Sequence, residues 1–557
     1  MFLMTDIFKR GISVLLKRQT NIISAAYILM ATVIFSQILG LFRSRLLVSI
    51  FGASSTLGVY NYASILPDTI FQLVIAAAFS SAFIPVFSDY LSKGRDKEGQ
   101  SMASTFLVLG IITFSILSII LGIFAPYFLS LFNLGANFTP SQMSDMATLM
   151  RLLIIGQLLF IIGTFFTALL QSYNHFFIPG FAQALYNLGI IIGIFLFHTT
   201  FGIYSAPLGA ILGSIIYIAC QIPLARKIGF HFRPSPLLFK HDGVKKIFTL
   251  MWPRTLQVAI QQFGTIVIAS IISFMVDPGR MHLLFDYAKT LMFAPVSLIG
   301  YSIAQAAFPV LSREKDNLEE FKATFMASMN QMLYLILPVS ALILVLRIPI
   351  VRLIYGADKF DWPATVLTGT TLAFLAISIF AQGLIVLFYR AFYALQNSVT
   401  PLLTSALSTL FLLVIGYILV VVNHLGLTSI AIAFTIANFI QLFALFLLLD
   451  KKVGGFDKKP FFLTLAKFIT ATLVTGLALY IPIKLLDKLV FDTTRTINLI
   501  ILTGISSFAG LAFYLLLTWI LKIREAQTYI QICGQIGNWR EILGKSNEVI
   551  DANRTSP

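Results

Sequence analysis

Polar and ionisable side chains inside apolar helical segments are the features of this sequence that could do chemistry. In the segment WPRTLQVAIQQFGT, four of them recur at i, i+3, i+7 and i+11: Arg254, Gln257, Gln261 and Thr265. This spacing places them along one face of a helix. A polar stripe of this kind predicts a wet cavity. The alternative is that Arg254 reaches a membrane interface while the glutamines bond neighbouring helices.

A second candidate lies in FDYAKTLMFAP, where Asp286 and Lys289 are three residues apart. Side chains at this spacing can pair on a helix surface. An ionisable group inside an apolar segment usually faces a cavity or a partner, which makes Lys289 a candidate cavity cation. The alternative is a charge pair at the outer rim of the membrane.

A third candidate pair follows Pro67, where Asp68 and Gln72 stand at i and i+4 in a segment rich in Ala and Ser. Small residues favour close helix packing. Asp68 could cap a helix that starts behind Pro67, or it could act in the cavity. Gln72 is a candidate polar contact for the ligand.

The segment SQILGLFRSRLL carries two arginines of different expected roles. Ser36, Gly40 and Arg43 fall on one helical face, flanked by Gln37, whereas Arg45 lies on the opposite side. The pattern predicts that Arg43 points into a helix bundle and that Arg45 reaches toward headgroups.

Enzymatic and metal chemistry are not indicated. The sequence contains no P-loop, HExxH or GxSxG motif, five of its six histidines fall in or beside predicted loops, and Cys220 and Cys533 form no CxxC. We therefore expect no enzyme, no cofactor and no metal site.

The composition is that of a multi-pass membrane protein. Of 557 residues, 58% are hydrophobic and 11% charged, and the mean hydropathy is +0.90. The net charge of +16 comes from short basic clusters between apolar runs, which indicates topology and not nucleic-acid binding. Runs near the roughly 20 residues that cross a bilayer predict about fourteen spans in an all-α fold. With the N-terminus inside, most basic loops are internal, so both termini are predicted to be cytoplasmic.

An internal repeat organises these spans. AFIPVFS and AAFPVLS align on Pro85 and Pro309, 224 residues apart, and QSYNHFFIPG and YALQNSVTPL align on Pro179 and Pro401, 222 apart. These nearly equal offsets predict two six-helix lobes related by a parallel repeat. The predicted division is an N-terminal lobe, a basic linker, a C-terminal lobe, two additional helices and a cytoplasmic tail: 1–225, 226–246, 247–450, 451–523 and 524–557.

Several motifs in order, namely SQILGLFR, FGAS, LPDTIFQLVIAAAFSSAFIPVFSDYLSKG, YAKTLMFAP and RAFYALQNSVTP, resemble the MurJ/MviN-type lipid II flippases. These belong to the multidrug, oligosaccharidyl-lipid and polysaccharide exporter superfamily. The resemblance, which runs from about residue 25 to residue 450, implies two lobes around a cavity that opens alternately to each side. It also implies an undecaprenyl-pyrophosphate-linked peptidoglycan precursor as cargo, and a groove for its lipid tail beside the appended helices.

The sequence departs from the family pattern at several cavity positions. Gln37 stands where an arginine is usual, and Thr290 stands where a cavity arginine is frequent. Phe71 and Gln72 occupy the place of a basic pair. The remaining cations, supported by nearby polar groups, would have to hold the pyrophosphate. The residues predicted to bind the cargo are Arg43, Arg254, Lys289, Ser36, Gln37, Gln72, Gln257 and Gln261.

The leading prediction is a flippase of the bacterial cytoplasmic membrane that acts in cell-wall synthesis and cell shape. Its ligand is a lipid-linked anionic glycan, its surroundings are membrane lipids, and cell-wall synthesis proteins are candidate partners of a monomeric chain. One alternative is an exporter of another polyprenyl-linked glycan or of amphipathic cations. Another is a non-transporting scaffold for cell-wall enzymes.

Overall fold

The structure, a computed structural model, describes residues 22–76, 82–235, 241–489, 496–523 and 525–526. Within these ranges all regular structure is helical and no residue lies in a strand, as the sequence predicts. A chain in a bilayer must satisfy its backbone hydrogen bonds within each segment, and a helix does so. The helices are α1 (Ile22–Phe51), α2 (Ser55–Phe71), α3 (Ile84–Ser92), α4 (Asp96–Ile123), α5 (Ala125–Leu131), α6 (Pro140–Ser172), α7 (Phe177–Phe201), α8 (Ser205–Lys227), α9 (Asp242–Ile272), α10 (Pro278–Pro295), α11 (Tyr301–Arg313), α12 (Leu318–Val345), α13 (Arg347–Tyr355), α14 (Trp362–Ile377), α15 (Ile379–Ala394), α16 (Val399–Tyr417), α17 (Thr428–Lys452), α18 (Lys458–Leu489) and α19 (Thr496–Ile520).

Eleven helical stretches of the described residues are long and apolar enough to span a membrane. A twelfth span arises if α14 and α15, which meet at a 44° bend, are taken as one crossing. The predicted count of fourteen is therefore not confirmed. One of the predicted spans runs through residues 77–81, which lie outside the described part of the chain.

Close glycine contacts show that one of these stretches, Phe177–Lys227, is a hairpin of α7 and α8. A Cβ on Gly189 would lie 2.3 Å from the Cα of Gly213, and a Cβ on Gly193 would lie 2.3 Å from the Cα of Gly209. The residue numbers rise along α7 as they fall along α8, so the two helices are antiparallel. Small residues allow their backbones to approach this closely.

The backbone supports the parallel repeat. Left-handed conformations recur in pairs 222 or 225 residues apart: Gly52 and Asp277, Asn174 and Gln396, Gly202 and His424, and Gly229 and Gly454. The π turns Gln72–Ala76 and Val296–Gly300 are 224 residues apart. These spacings agree with those of the proline motifs, and the paired turns come between corresponding helices of the two halves.

The chain forms two compact units. The first comprises the described residues up to Lys289 together with Ile354–Thr371 and Leu402–Ala437, and the second comprises Thr290–Leu353, Leu372–Pro401 and the described residues from Asn438 onward. Each has its own core: Phe83, Phe87 and Phe165 are buried in the first, and Phe325 and Phe388 in the second. These units are defined by which residues pack together, whereas the predicted domains are defined by the sequence repeat and the basic linker. The units therefore do not test the predicted domain boundaries, which stay a prediction.

Candidate substrate cavity

Three helices of the first unit meet where α2 begins. Ser54 caps α2 by accepting a backbone N–H bond at 3.3 Å. The first turns of α2 and α10 then touch, because a Cβ on Gly58 would lie 2.1 Å from backbone atoms of Gly279. One turn later, the hydroxyl of Tyr62 donates to the carbonyl of Ala269 on α9 at 2.9 Å. These contacts bring the polar faces of α2, α9 and α10 together.

A cavity of about 550 Å³ lies within the first unit, lined by residues of α1, α2, α6, α7, α8, α9 and α10. Four of its lining residues carry formal charge: Arg43 on α1, Asp68 on α2, and Asp286 and Lys289 on α10. Its neutral polar lining includes Tyr60, Asn61, Ser64, Thr69, Gln72, Gln157, Tyr186, Gln262, Thr265 and His282. The cavity is thus a polar chamber within a largely apolar unit.

The charges of the cavity balance, with two cations and two carboxylates among its lining residues. The resemblance described above implied a pyrophosphate held by the cations of the cavity. Burying a charge in a low-dielectric interior is costly, and carboxylates nearby offset part of that cost for Arg43 and Lys289. The cavity is therefore dipolar and not simply cationic.

Asp68 is a cavity residue and not a helix cap. The helix α2 is continuous through Pro67, and its cap is Ser54. The carboxylate of Asp68 accepts a hydrogen bond from the side-chain amide of Gln157 on α6. The same amide's Oε1 is buried and has no hydrogen-bond partner among the described residues. Asp68 is held from one side by α6 and remains part of the cavity wall.

His282 stands one helical turn before Asp286. Its side chain is 7% exposed, and its ring centroid lies 4.6 Å from that of Tyr62. The Nδ1 atom of His282 is buried without a hydrogen-bond partner in the described part of the chain. His282 is the one histidine of the six that was not placed in or beside a predicted loop, and it lines the cavity.

A sequence profile described as the lipid II flippase MurJ matches residues 47–499. The chain belongs to this MurJ family. A probable lipid II flippase MurJ of Borreliella burgdorferi is 25% identical over 474 residues, which cover 84% of this chain and 90% of that one. Its counterpart from Thermotoga maritima is 26% identical over 503 residues, 89% of this chain and 96% of that one. The resemblance seen in the motifs is confirmed.

Solved structures agree on the fold. A lipid II flippase MurJ in an inward closed conformation matches 88% of this chain and 98% of its own, with a TM-score of 0.71 and 22% identity. An inward-facing multidrug resistance transporter of the MATE family matches 77% of this chain and 98% of its own, with a TM-score of 0.63 and 15% identity. This chain has the fold that both share.

Of the residues that the sequence predicted for this MurJ family member, Arg43, Gln72 and Lys289 line the cavity. Ser36 and Gln37 are not among its described lining residues. The carbonyl and hydroxyl oxygens of Ser36 accept from the side-chain amide of Asn187 on α7, at 3.2 and 3.3 Å, and Gln37 is exposed. The Ser36 face of α1 thus packs on α7 before the helix reaches the cavity at Arg43.

The polar stripe of α9 faces the cavity along a different row from the predicted one. Gln262, Thr265 and Ile268 line the cavity. Gln257 and Gln261 do not appear among the described lining residues. The two rows share Thr265, so spacing alone could not decide between them. The side chain of Arg254 lies outside the described residues.

Gln157 and Gln262 are cavity residues that were not predicted from the sequence. Gln157 is the single polar side chain in the run LLIIGQLLFIIG, and such an isolated amide in an apolar span is a signal that could have identified it. Gln262 adjoins Gln261, and choosing between them requires knowing how α9 is rotated. The aromatic lining residues Tyr60 and Tyr186 carry no comparable signal, since tyrosines are common in membrane helices.

Proposed function

We propose that this chain is a lipid II flippase, which moves the undecaprenyl-pyrophosphate-linked peptidoglycan precursor from the inner to the outer leaflet of the bacterial cytoplasmic membrane. The observation that carries this proposal is the match of the MurJ profile to residues 47–499. The curated relatives of similar length bear the same description. A transport role also fits a chain with eleven apolar helical stretches and a polar cavity inside one unit.

The cavity supplies groups suited to a phosphorylated glycan. Arg43 and Lys289 would bind the pyrophosphate, since a guanidinium donates charge-assisted and often bidentate bonds to phosphate. The amides of Gln72 and Gln262 would bond phosphate or sugar oxygens. Arg254, Ser36, Gln37, Gln257 and Gln261 remain sequence-based candidates for contacts made in another conformation.

Movement of the cargo would follow alternating access between the two repeat-related lobes. The sequence has no nucleotide-binding motif, so a membrane potential or an ion gradient would drive uphill movement. The chain would act as a monomer with both termini in the cytoplasm. The absence of catalytic motifs from the sequence agrees with a transporter that performs no covalent chemistry.

Reconstitution tests the proposal directly. The purified chain in proteoliposomes should move fluorescent lipid II between leaflets, and a phospholipid with the same fluorophore serves as the control for leakage. In cells depleted of their own flippase, the chain should restore growth. Rescue by a variant that moves no lipid II in proteoliposomes would support the scaffold hypothesis instead.

A further inference from the structure

The two carboxylates of the cavity are without basic partners at contact distance. Asp68 and Asp286 are both half-buried in the cavity wall. No ion pair within 4 Å involves either of them in the described part of the chain, although the charges of Arg43 and Lys289 act over longer distances. Removing a carboxylate from bulk water costs free energy, and a nearby cation or strong hydrogen-bond donors offset that cost.

Neutral groups beside these carboxylates leave further hydrogen-bonding capacity unused. Among the described residues, the Oε1 of Gln157, whose Nε2 donates to Asp68, has no hydrogen-bond partner. The Nδ1 of His282, one turn from Asp286, has none there either. His282 is more than nine-tenths buried and belongs to the cavity lining. Unmet groups at both carboxylates indicate that this part of the wall is built to receive a ligand.

We propose that the cavity binds a zwitterionic part of its cargo, with Asp68 and Asp286 accepting hydrogen bonds from an ammonium group while Arg43 and Lys289 donate to phosphate or carboxylate. This inference rests on the proposed function and specifies its substrate. An ammonium group has three hydrogen-bond donors and a compact positive charge. Two carboxylates therefore bind it better than they bind the neutral hydroxyls of a sugar. The ligand chemistry is that of a glycan-linked peptide with a free side-chain amine.

Charge balance favours this ligand over a purely anionic one. A pyrophosphate alone would engage the two cations and bring its negative charge toward Asp68 and Asp286. A cargo that carries both signs satisfies all four charged residues without leaving a net buried charge. The carboxylates would also select against precursors whose amine is blocked, since a site built for a donor rejects an analogue that lacks it.

The test compares two forms of lipid II that differ only at one amine: one has a free ε-amine in its peptide, and in the other that amine is acetylated and uncharged. Binding of each to the full chain is measured in detergent, and flipping of each in proteoliposomes. We expect acetylation to weaken binding to the natural chain by about 10-fold, which corresponds to about 1.4 kcal/mol. Asp68→Asn and Asp286→Asn should each bind the two forms nearly equally.

Asp145→Asn is the matched control, because Asp145 is an exposed carboxylate of α6 that accepts a bond from Tyr204 outside the cavity lining. It should keep the preference for the free amine. Equal binding of both forms by the natural chain would overturn the inference, as would a preference retained in both cavity variants. If neither form is flipped, the proposed function fails; if both are flipped equally, only this inference does.

Discussion

At the residue scale, Arg43 and Arg45 meet different surroundings although only one residue separates them. Arg43 lines the cavity, whereas Arg45 is not among its described lining residues. Neighbouring side chains on a helix diverge by about 100° per residue, so alternate positions face opposite sides. The sequence-based assignment of different roles to the two arginines therefore agrees with the position of α1 beside the cavity.

Replacing Arg43 should weaken cargo binding selectively. We expect Arg43→Ala to reduce the affinity for lipid II by about 10- to 100-fold, since a hydrogen bond to a charged group contributes about 1.5–3 kcal/mol. Arg43→Lys should recover part of the loss because it keeps the charge but not the bidentate geometry. The measurement is lipid II binding to purified variants of matched thermal stability.

Arg45→Ala is the control for this experiment. It removes the same charge from the same helix but not from the cavity lining, so its affinity should stay within about 3-fold of the natural chain. A loss as large as that of Arg43→Ala would mean that the total positive charge of α1, and not its place in the cavity, governs binding.

At the scale of the element, the rotation of α9 decides which amide reaches the cavity. Hydrophobic patterning identified this helix and its polar character, because a bilayer-spanning segment must be apolar outside its few functional positions. Patterning could not choose between the rows through Gln261 and Gln262, since the choice depends on the helices that pack around α9. The same limit applied to Ser36, whose partner Asn187 lies 151 residues further along the chain.

Adjacent glutamines on α9 provide a matched pair of variants. We expect Gln262→Leu to slow lipid II flipping by about 3- to 10-fold, because a cavity donor and acceptor are lost and replaced by an apolar group. Gln261→Leu should slow flipping less than Gln262→Leu does, since the Gln261 side chain is exposed in this conformation and would contact the cargo only in another. Flipping rates in proteoliposomes at equal protein density give the comparison. A reversed order of the two rates would contradict the rotation of α9 described above.

The crossing of α2 and α10 at Gly58 should tolerate no side chain. A Cβ there would lie 2.1 Å from the backbone of Gly279, so one helix must move. Overpacking of this kind costs about 1–3 kcal/mol, and Gly58→Ala should lower the apparent melting temperature. Gly476→Ala is the control, because no atom of the described residues lies within 4 Å of its added Cβ. Equal stability of the two variants would show that α2 and α10 separate freely.

At the scale of the whole molecule, the repeat could be predicted from the sequence because the same proline motifs occur in both halves of the chain. Four pairs of left-handed residues and two π turns recur at the spacing of the proline motifs. Six of these eight left-handed residues are Gly, Asn or Asp, types that adopt this conformation at low cost. The grouping of helices into units could not be read in the same way, because it depends on packing between segments far apart in the chain.

The basic loops predict an orientation of the chain in the membrane, and one helix can test it. The 28 residues of α4 would span about 42 Å at 1.5 Å per residue, which exceeds the roughly 30 Å hydrocarbon core. Lys97 at its start and Ser144, beyond its end in the first turns of α6, should therefore lie on opposite sides. Both side chains are exposed. The positive-inside rule assigns Lys97 to the cytoplasm.

Cysteine labelling distinguishes the two orientations. In a background of Cys220→Ser and Cys533→Ser, Ser144→Cys should react with a membrane-impermeant maleimide in spheroplasts, whereas Lys97→Cys should react only after permeabilisation. The opposite pattern would contradict the predicted orientation of the chain. Labelling of both sites in intact spheroplasts would mean that α4 does not cross the membrane. Since alternate spans change sides, fixing this one helix orients the remaining loops and defines the leaflet from which the cavity receives its cargo.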